Sequence, residues 1–438
     1  MHSSVFTNRR QRLIDRLGPG VALIVASAPV IKRNSDVEYP YRQESHFWYA
    51  TGIEEPNCLA VLKSADRIPY RLYRPDRNLF QERWTGARFD HDHIKRLHCI
   101  GSVCSLNKFA DDLPTLLNGV TILYWKMGVH LRLDTMIRRQ ILDSRSRAGM
   151  TKKKIELRDP ATLLAPIRLI KSPEEIALLK RAARITAEGF KRAAKTIRPG
   201  LYEYQLKAEI EYALRYNGSV RNGYDSIVAG GAGTCVLHNL TDRNKLKSGD
   251  LVLIDAGAEW EYYSADVTRT YPVSGQFTSA QRLIYDIVLS TQEIAIKHVK
   301  PGITWNELEA IARKHMDALL IKHNVVPLSS RTRPLRQLAD GGLDSLRQLA
   351  DRAGMTKWLC DQIFVHRLGH WLGLDVHDVG DHTTPFAPGM ALTIEPGIYI
   401  PAGTKNISKR FWNIGVRIED DVIVTKTGNE ILTTMIQK

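Results

Sequence analysis

The sequence predicts an α/β (α+β) chain of two domains: an α/β domain over residues 1–165, then a duplicated domain with pseudo-two-fold symmetry over residues 172–438. Three observations predict it. Strand-like and helix-like runs alternate through the first part. A helix, Pro-Gly, helix unit occurs twice in the second part, about one hundred residues apart. An apolar β-type frame ending in an acid also occurs twice, at Gly249–Gly257 and Gly389–Gly397.

In the first domain, Gly20–Ala26, Leu59–Lys63 and Thr121–Trp125 read as strands, and Asn8–Leu17 and Leu131–Asp143 as helices. Lys152–Leu169, with Pro160 and Pro166, reads as the crossing into the second domain. There a helix starts at Ser172 as N-cap, with Pro173 in its first position and Glu174 and Glu175 in its first turn. This helix ends at Arg198-Pro199-Gly200 and Tyr202–Arg215 follows. Gln281–Val299 ends at Lys300-Pro301-Gly302, and Trp305–Met316 follows. Leu335–Asp340 recurs verbatim as Leu346–Asp351, which reads as a surface insertion without chemistry of its own.

Composition bounds the function. With 438 residues, 43% hydrophobic and 25% charged, the chain suits a globular protein with sizeable cores. No apolar run approaches the ~20 residues of a membrane span. The first residues lack an apolar signal region, so secretion is not expected. Five cysteines without a C-x-x-C pair suggest reduced thiols in the cytoplasm. Net charge is +15, and residues 1–170 carry 28 Lys+Arg against 17 Asp+Glu. No nucleic-acid motif accompanies that surplus, so it reads as a solvated basic surface rather than a nucleic-acid interface.

The two acid frames carry the chemistry. Asp255 and Glu395 stand where a buried strand would otherwise stay apolar, and Asp266 and Glu419 follow them. A lone buried carboxylate is costly or surrenders its charge. Duplication is compatible with two separate acid pairs, but a pseudo-two-fold fold would bring all four to one axis, where bound cations explain them best. The densest local motif is His366-Arg367-Leu368-Gly369-His370-Trp371-Leu372-Gly373-Leu374-Asp375-Val376-His377. His366 and His370 have the spacing of a zinc-protease helix, yet no Glu follows the first His, so that reading fails.

These motifs (I-D-A-G, A-D-V-T-R-T, G-H-W-L-G-L-D-V-H-D, I-E-P-G-I-Y and G-V-R-I-E-D-D) resemble the pita-bread metallopeptidases. That family comprises methionine aminopeptidase, prolidase and aminopeptidase P. Tyr39–Gly52 resembles the N-terminal-domain signature of aminopeptidase P, which points to an Xaa-Pro aminopeptidase. The alternatives are an Xaa-Pro dipeptidase and a non-catalytic peptide-binding relative.

The resemblance implies two divalent ions, best Mn²⁺ for an oxygen-rich ligand set, held by Asp255, Asp266, His370, Glu395 and Glu419. It implies that Asp255 and Glu419 bridge the ions and that a shared hydroxide attacks the peptide carbonyl. Glu395 would take the proton of the attacking water, and His377 would bond the tetrahedral oxygen. His238 and His366 would line the proline pocket, with Tyr399 nearby, and Arg417 would orient Glu419. Trp84 would reach a neighbouring subunit's site in a homodimer or homotetramer. One departure stands out: Asp378–Ile394 appears shortened and holds no arginine, although the family pattern has a substrate-contacting arginine there.

Overall fold

The computed structural model describes residues 3–64, 66–98, 100–146, 155–326 and 359–438. The duplicated Leu335–Asp340 and Leu346–Asp351 segments and Lys152–Lys154 lie outside the described residues. The chain divides into two compact units, Met1–Ile167 and Arg168–Lys438.

The first unit holds a six-stranded sheet in the order Ser102–Ser105, Tyr70–Arg74, Leu59–Leu62, Val21–Ala26, Ile122–Tyr124, Glu156–Arg158. Only Leu59–Leu62 runs antiparallel to its neighbours. Its core gathers Ile24, Val61, Phe109, Leu123 and Ile137 between the sheet and its helices. The crossing segment differs from expectation, since Pro160–Leu169 is a helix. Pro160 opens it, where a missing N–H costs nothing.

The second unit repeats one plan. Helices Pro173–Thr196 and Glu203–Tyr216 precede the first set of strands, and Ser279–His298 and Trp305–Lys322 precede the second. Ser172 and Glu175 form the expected capping box. The repeat extends to the backbone: Gly200 and Gly302 share φ +91°, and Gly249 and Gly389, which open the acid frames, stand at +86° and +89°. Only glycine takes such values without strain.

The first copy pairs Leu251–Ala256 with both Ile227–Gly230 and Val267–Pro272. The second pairs Ala391–Ile394 with Asp420–Val424, and Gly397–Ile400 with Ile414–Arg417. Hydrogen bonds join the copies: Glu419 N donates to Thr268 O (3.1 Å) and Thr270 Oγ1 to Arg417 O (3.1 Å). Of the four acids, only Asp255 lies within a strand. Asp266 just precedes one, Glu395 just follows one, and Glu419 separates two. At strand ends a carboxylate can leave the apolar layers and face the junction between the copies.

Candidate active site

An open cleft of about 550 Å³ is lined by Asp255, Asp266, His370, Glu395 and Glu419, together with His238, His366, His377 and Arg417. The His366–His377 stretch is irregular rather than helical. It lies along the Ala391–Ile394 strand: Thr393 N donates to His370 O (2.9 Å), Leu372 N to Ala391 O (2.9 Å), and Glu395 N to Leu368 O (2.8 Å). A Cβ on Gly369 would fall 2.1 Å from Thr393 O, so glycine permits this close approach. That pairing delivers His370 to Glu395.

His370 Nδ1 bonds Trp371 O at 3.0 Å, which leaves Nε2 facing Asp266 Oδ2 at 3.2 Å and Glu395 Oε1 at 3.5 Å. The assignment of the ring proton follows from these partners. Burial disfavours its protonation, but the hydrogen bond to Asp266 and the charges of Glu395 and Asp266 outweigh it and hold the imidazole at about 9.

The acids are stabilised unevenly. Asp255 accepts from Arg417 Nη2 at 2.5 Å and from Tyr224 Oη, and burial still lifts it to about 6. Tyr224 Oη also bonds Asp266 Oδ1 at 2.5 Å, and Asp266 N donates to both oxygens of Asp421 at 3.2 Å. Burial lifts Glu395 to about 7 against the pull of His370 and Arg417. Burial, then Asp266 and Glu395, raise Glu419 well above the carboxylate range. Thr268 Oγ1 donates to Glu419 Oε2 at 2.6 Å, while Glu419 Oε1 is buried without a partner.

This donor set fits a cation. Donor atoms of Asp266, His370 and Glu419 lie within 4.8 Å of one another. An orphaned buried carboxylate oxygen, acids lifted by burial and then by one another, and a histidine whose outer nitrogen is fixed are the marks of ligands lacking a positive centre. Oxygen-rich donors with one imidazole suit a hard or borderline divalent ion.

The remaining residues differ in how far they match expectation. Arg417, expected to orient Glu419, has no hydrogen bond to it among the described residues and acts on it at one remove. Its Nη2 goes to Asp255, Nη1 to Tyr399 Oη (3.0 Å), and Nε to Thr268 Oγ1 (3.0 Å), so Glu419 is reached through the threonine hydroxyl. Ile418 and Glu419 form a two-residue break between the strands that hold Arg417 and Asp420, so Glu419 is not on the strand of Arg417. His366 Nε2 bonds Tyr399 Oη at 2.8 Å, and burial with the Arg417 charge depresses its pKa to about 3. His377 lies 4.2 Å from the His370 ring, and burial with that neighbour lowers its proton affinity. His238 is exposed at the cleft wall.

Trp84, in the helix Leu79–Thr85 of the first unit, is 81% exposed, so it is not a packed core aromatic. Sequence reasoning missed Tyr224, Thr268 and Asp421. Thr268 and Asp421 stood two residues beyond predicted ligands, one strand period away. Tyr224 carried no such signal.

Comparison with known proteins identifies the family. Residues 177–426 match metallopeptidase family M24, and residues 6–124 match the aminopeptidase P N-terminal domain. The Xaa-Pro aminopeptidase of Escherichia coli K12 is 38% identical over 99% of this chain and 95% of that protein. Escherichia coli aminopeptidase P in complex with substrate superposes with a TM-score of 0.89 at 36% identity, covering 100% of this chain and 96% of that one. The Pseudomonas aeruginosa aminopeptidase PepP gives 0.90 at 35% identity, with the same coverage of each chain. The chain is therefore a member of metallopeptidase family M24, an aminopeptidase P-type N-terminal domain followed by a pita-bread catalytic domain.

Proposed function

We propose that the protein is an Xaa-Pro aminopeptidase, releasing the first residue of peptides whose second residue is proline. The observation that carries this reading is the buried convergence of Asp255, Asp266, His370, Glu395 and Glu419, with Glu419 Oε1 left unpartnered. These five side chains would hold two divalent ions, Mn²⁺ by preference. Bound there, the ions supply a Lewis acid for the scissile carbonyl and lower the pKa of a water.

The chain's own groups do the rest. Glu395 accepts the proton of the attacking water at its carboxylate. His377 is neutral at neutral pH, so a ring N–H can donate to the oxygen that becomes negative. Arg417 fixes Tyr399 and through it His366, whose neutral ring lines the cleft with His238 where the proline ring enters. Proline's tertiary amide offers no N–H, so selectivity must come from the shape of that pocket.

The reading extends to a cytoplasmic homodimer or homotetramer in which Trp84 of one subunit meets the cleft of the next. Among the described residues no helix is long and apolar enough to cross a membrane. The test is hydrolysis of an Xaa-Pro-Xaa tripeptide by chelator-stripped protein with and without Mn²⁺, beside Asp255→Ala. Mn²⁺-dependent release of the first residue, absent in the variant, supports it. Cleavage of Xaa-Pro dipeptides alone moves the protein to prolidase, and metal binding without cleavage leaves a peptide-binding relative.

A further inference from the structure

Two arginines line the cleft, and they differ in what they do. Arg417 is 4% exposed and fully committed to Asp255, Thr268 and Tyr399. Arg367 is exposed and, among the described residues, its guanidinium makes no hydrogen bond or ion pair. Its backbone is nevertheless fixed on both sides. Arg313, itself held by Glu309 and Asp361, donates to His366 O at 2.9 Å and to Phe364 O at 3.2 Å. His366 Nδ1 donates to Arg367 O at 2.8 Å, and Leu368 O takes the Glu395 N–H. A free guanidinium on a fixed backbone stands beside the histidine assigned to the proline pocket. The other charged wall residue, Asp225, is paired with Lys207 at 2.9 Å.

We propose that Arg367 determines specificity by binding the C-terminal carboxylate of short peptides as they lie in the cleft. The cleft sets apolar wall residues (Leu237, Leu240, Val376) around a charged floor. Its floor concentrates four carboxylates, which favour cations and an amine end, whereas Arg367 is the one uncommitted fixed cation among the described lining residues. A guanidinium bonds a carboxylate through two parallel N–H donors, an interaction about twice as strong as a neutral hydrogen bond. Arg367 also acts inward: after burial, its charge is the next cause that lowers the proton affinity of His382 on the same wall. The stretch Asp378–Ile394, where the family pattern would supply a substrate-contacting arginine, has none. Placement of proline beside Arg367 rests on the proposed function; the carboxylate contact itself does not.

The experiment uses the wild type, Arg367→Ala and Arg367→Lys. Calorimetry measures the affinity for the dipeptide Pro-Leu and its C-terminal amide, and kinetics compare Ala-Pro-Leu with Ala-Pro-Leu amide. The wild type should favour the acids by about tenfold or more, as a charge-assisted bond predicts. Arg367→Ala should bring that ratio near one, and Arg367→Lys should keep part of it. Ala-Pro-Glu amide against Ala-Pro-Gln amide separates a side-chain carboxylate from a terminal one, and a preference confined to that pair would overturn the terminal assignment. No acid preference in the wild type, or an unchanged preference in Arg367→Ala, would overturn the proposal. If no tripeptide is cleaved, the hydrolase reading fails while the dipeptide affinities still decide the role of Arg367.

Discussion

Lys171→Met tests the charge network beneath the histidine loop. Asp378 follows His377 and its side chain is buried, with Lys171 Nζ 3.0 Å from one oxygen and Arg168 Nη2 2.5 Å from the other. Side chains of all three are 1–2% exposed, so solvent screening gives no discount. Burial pushes Asp378 up, but Lys171 and Arg168 outweigh it and hold its pKa below the ordinary carboxylate value. Removing one partner of a buried pair costs about 3–5 kcal/mol when the other charge is left unpaired, and Arg168 still faces Asp378, so the loss here sits at the low end, about 3 kcal/mol. For a domain of this size each kcal/mol moves Tm by about 2–4 °C, so a loss of about 3 kcal/mol should lower the melting point by about 6–12 °C at neutral pH. The sign with pH follows from the depressed carboxylate. Its stabilisation is complete above the unfolded pKa of about 3.9 and is lost as pH falls through the folded value. The gap between wild type and variant should therefore narrow below about pH 4. A Tm change under about 2 °C, or a gap that stays constant from about pH 6 to 3, would refute the reasoning.

Tyr224→Phe removes the hydroxyl shared by Asp255 and Asp266. It should weaken Mn²⁺ binding by about 10–100-fold in a calorimetric titration while leaving the far-ultraviolet dichroism unchanged. Thr268→Val breaks the link from Arg417 to Glu419 and should weaken metal binding to a similar degree, about 10–100-fold. Gly369→Ala forces a methyl to within 2.1 Å of Thr393 O. It should cost about 1–3 kcal/mol of stability in urea unfolding and displace His370, read as lost metal affinity.

The sequence was most legible where chemistry recurs at fixed spacing. The paired frames placed Asp255 and Glu395, and helix signals at Ser172 and at the Pro-Gly pairs placed the flanking helices. Local pattern could not tell which acids lie inside strands, because a one-residue shift at a strand end leaves the apolar run unchanged. The route from Arg417 to Glu419 was not legible either: the link runs through Thr268, and the guanidinium bonds Asp255 across the junction. Tyr224, 31 residues before Asp255, is brought to the site by the tertiary fold alone.

The supporting contacts explain why both copies are needed for one site. Arg417 from the second copy holds Asp255 from the first, and Thr268 from the first holds Glu419 from the second. Asp421 of the second copy receives the Asp266 N–H of the first. Burial, then the charge of Asp266, raise Asp421 well above its usual range. Each half thus supplies two of the acids; Arg417 and Thr268 reach across the junction to them, while Tyr224 serves both acids of its own half. A duplicated fold whose two acid pairs were merely ancestral would satisfy each pair within its own copy. The crossed pattern instead makes the junction itself the site. Damage to a supporting residue in one copy should therefore appear as a displaced ligand in the other.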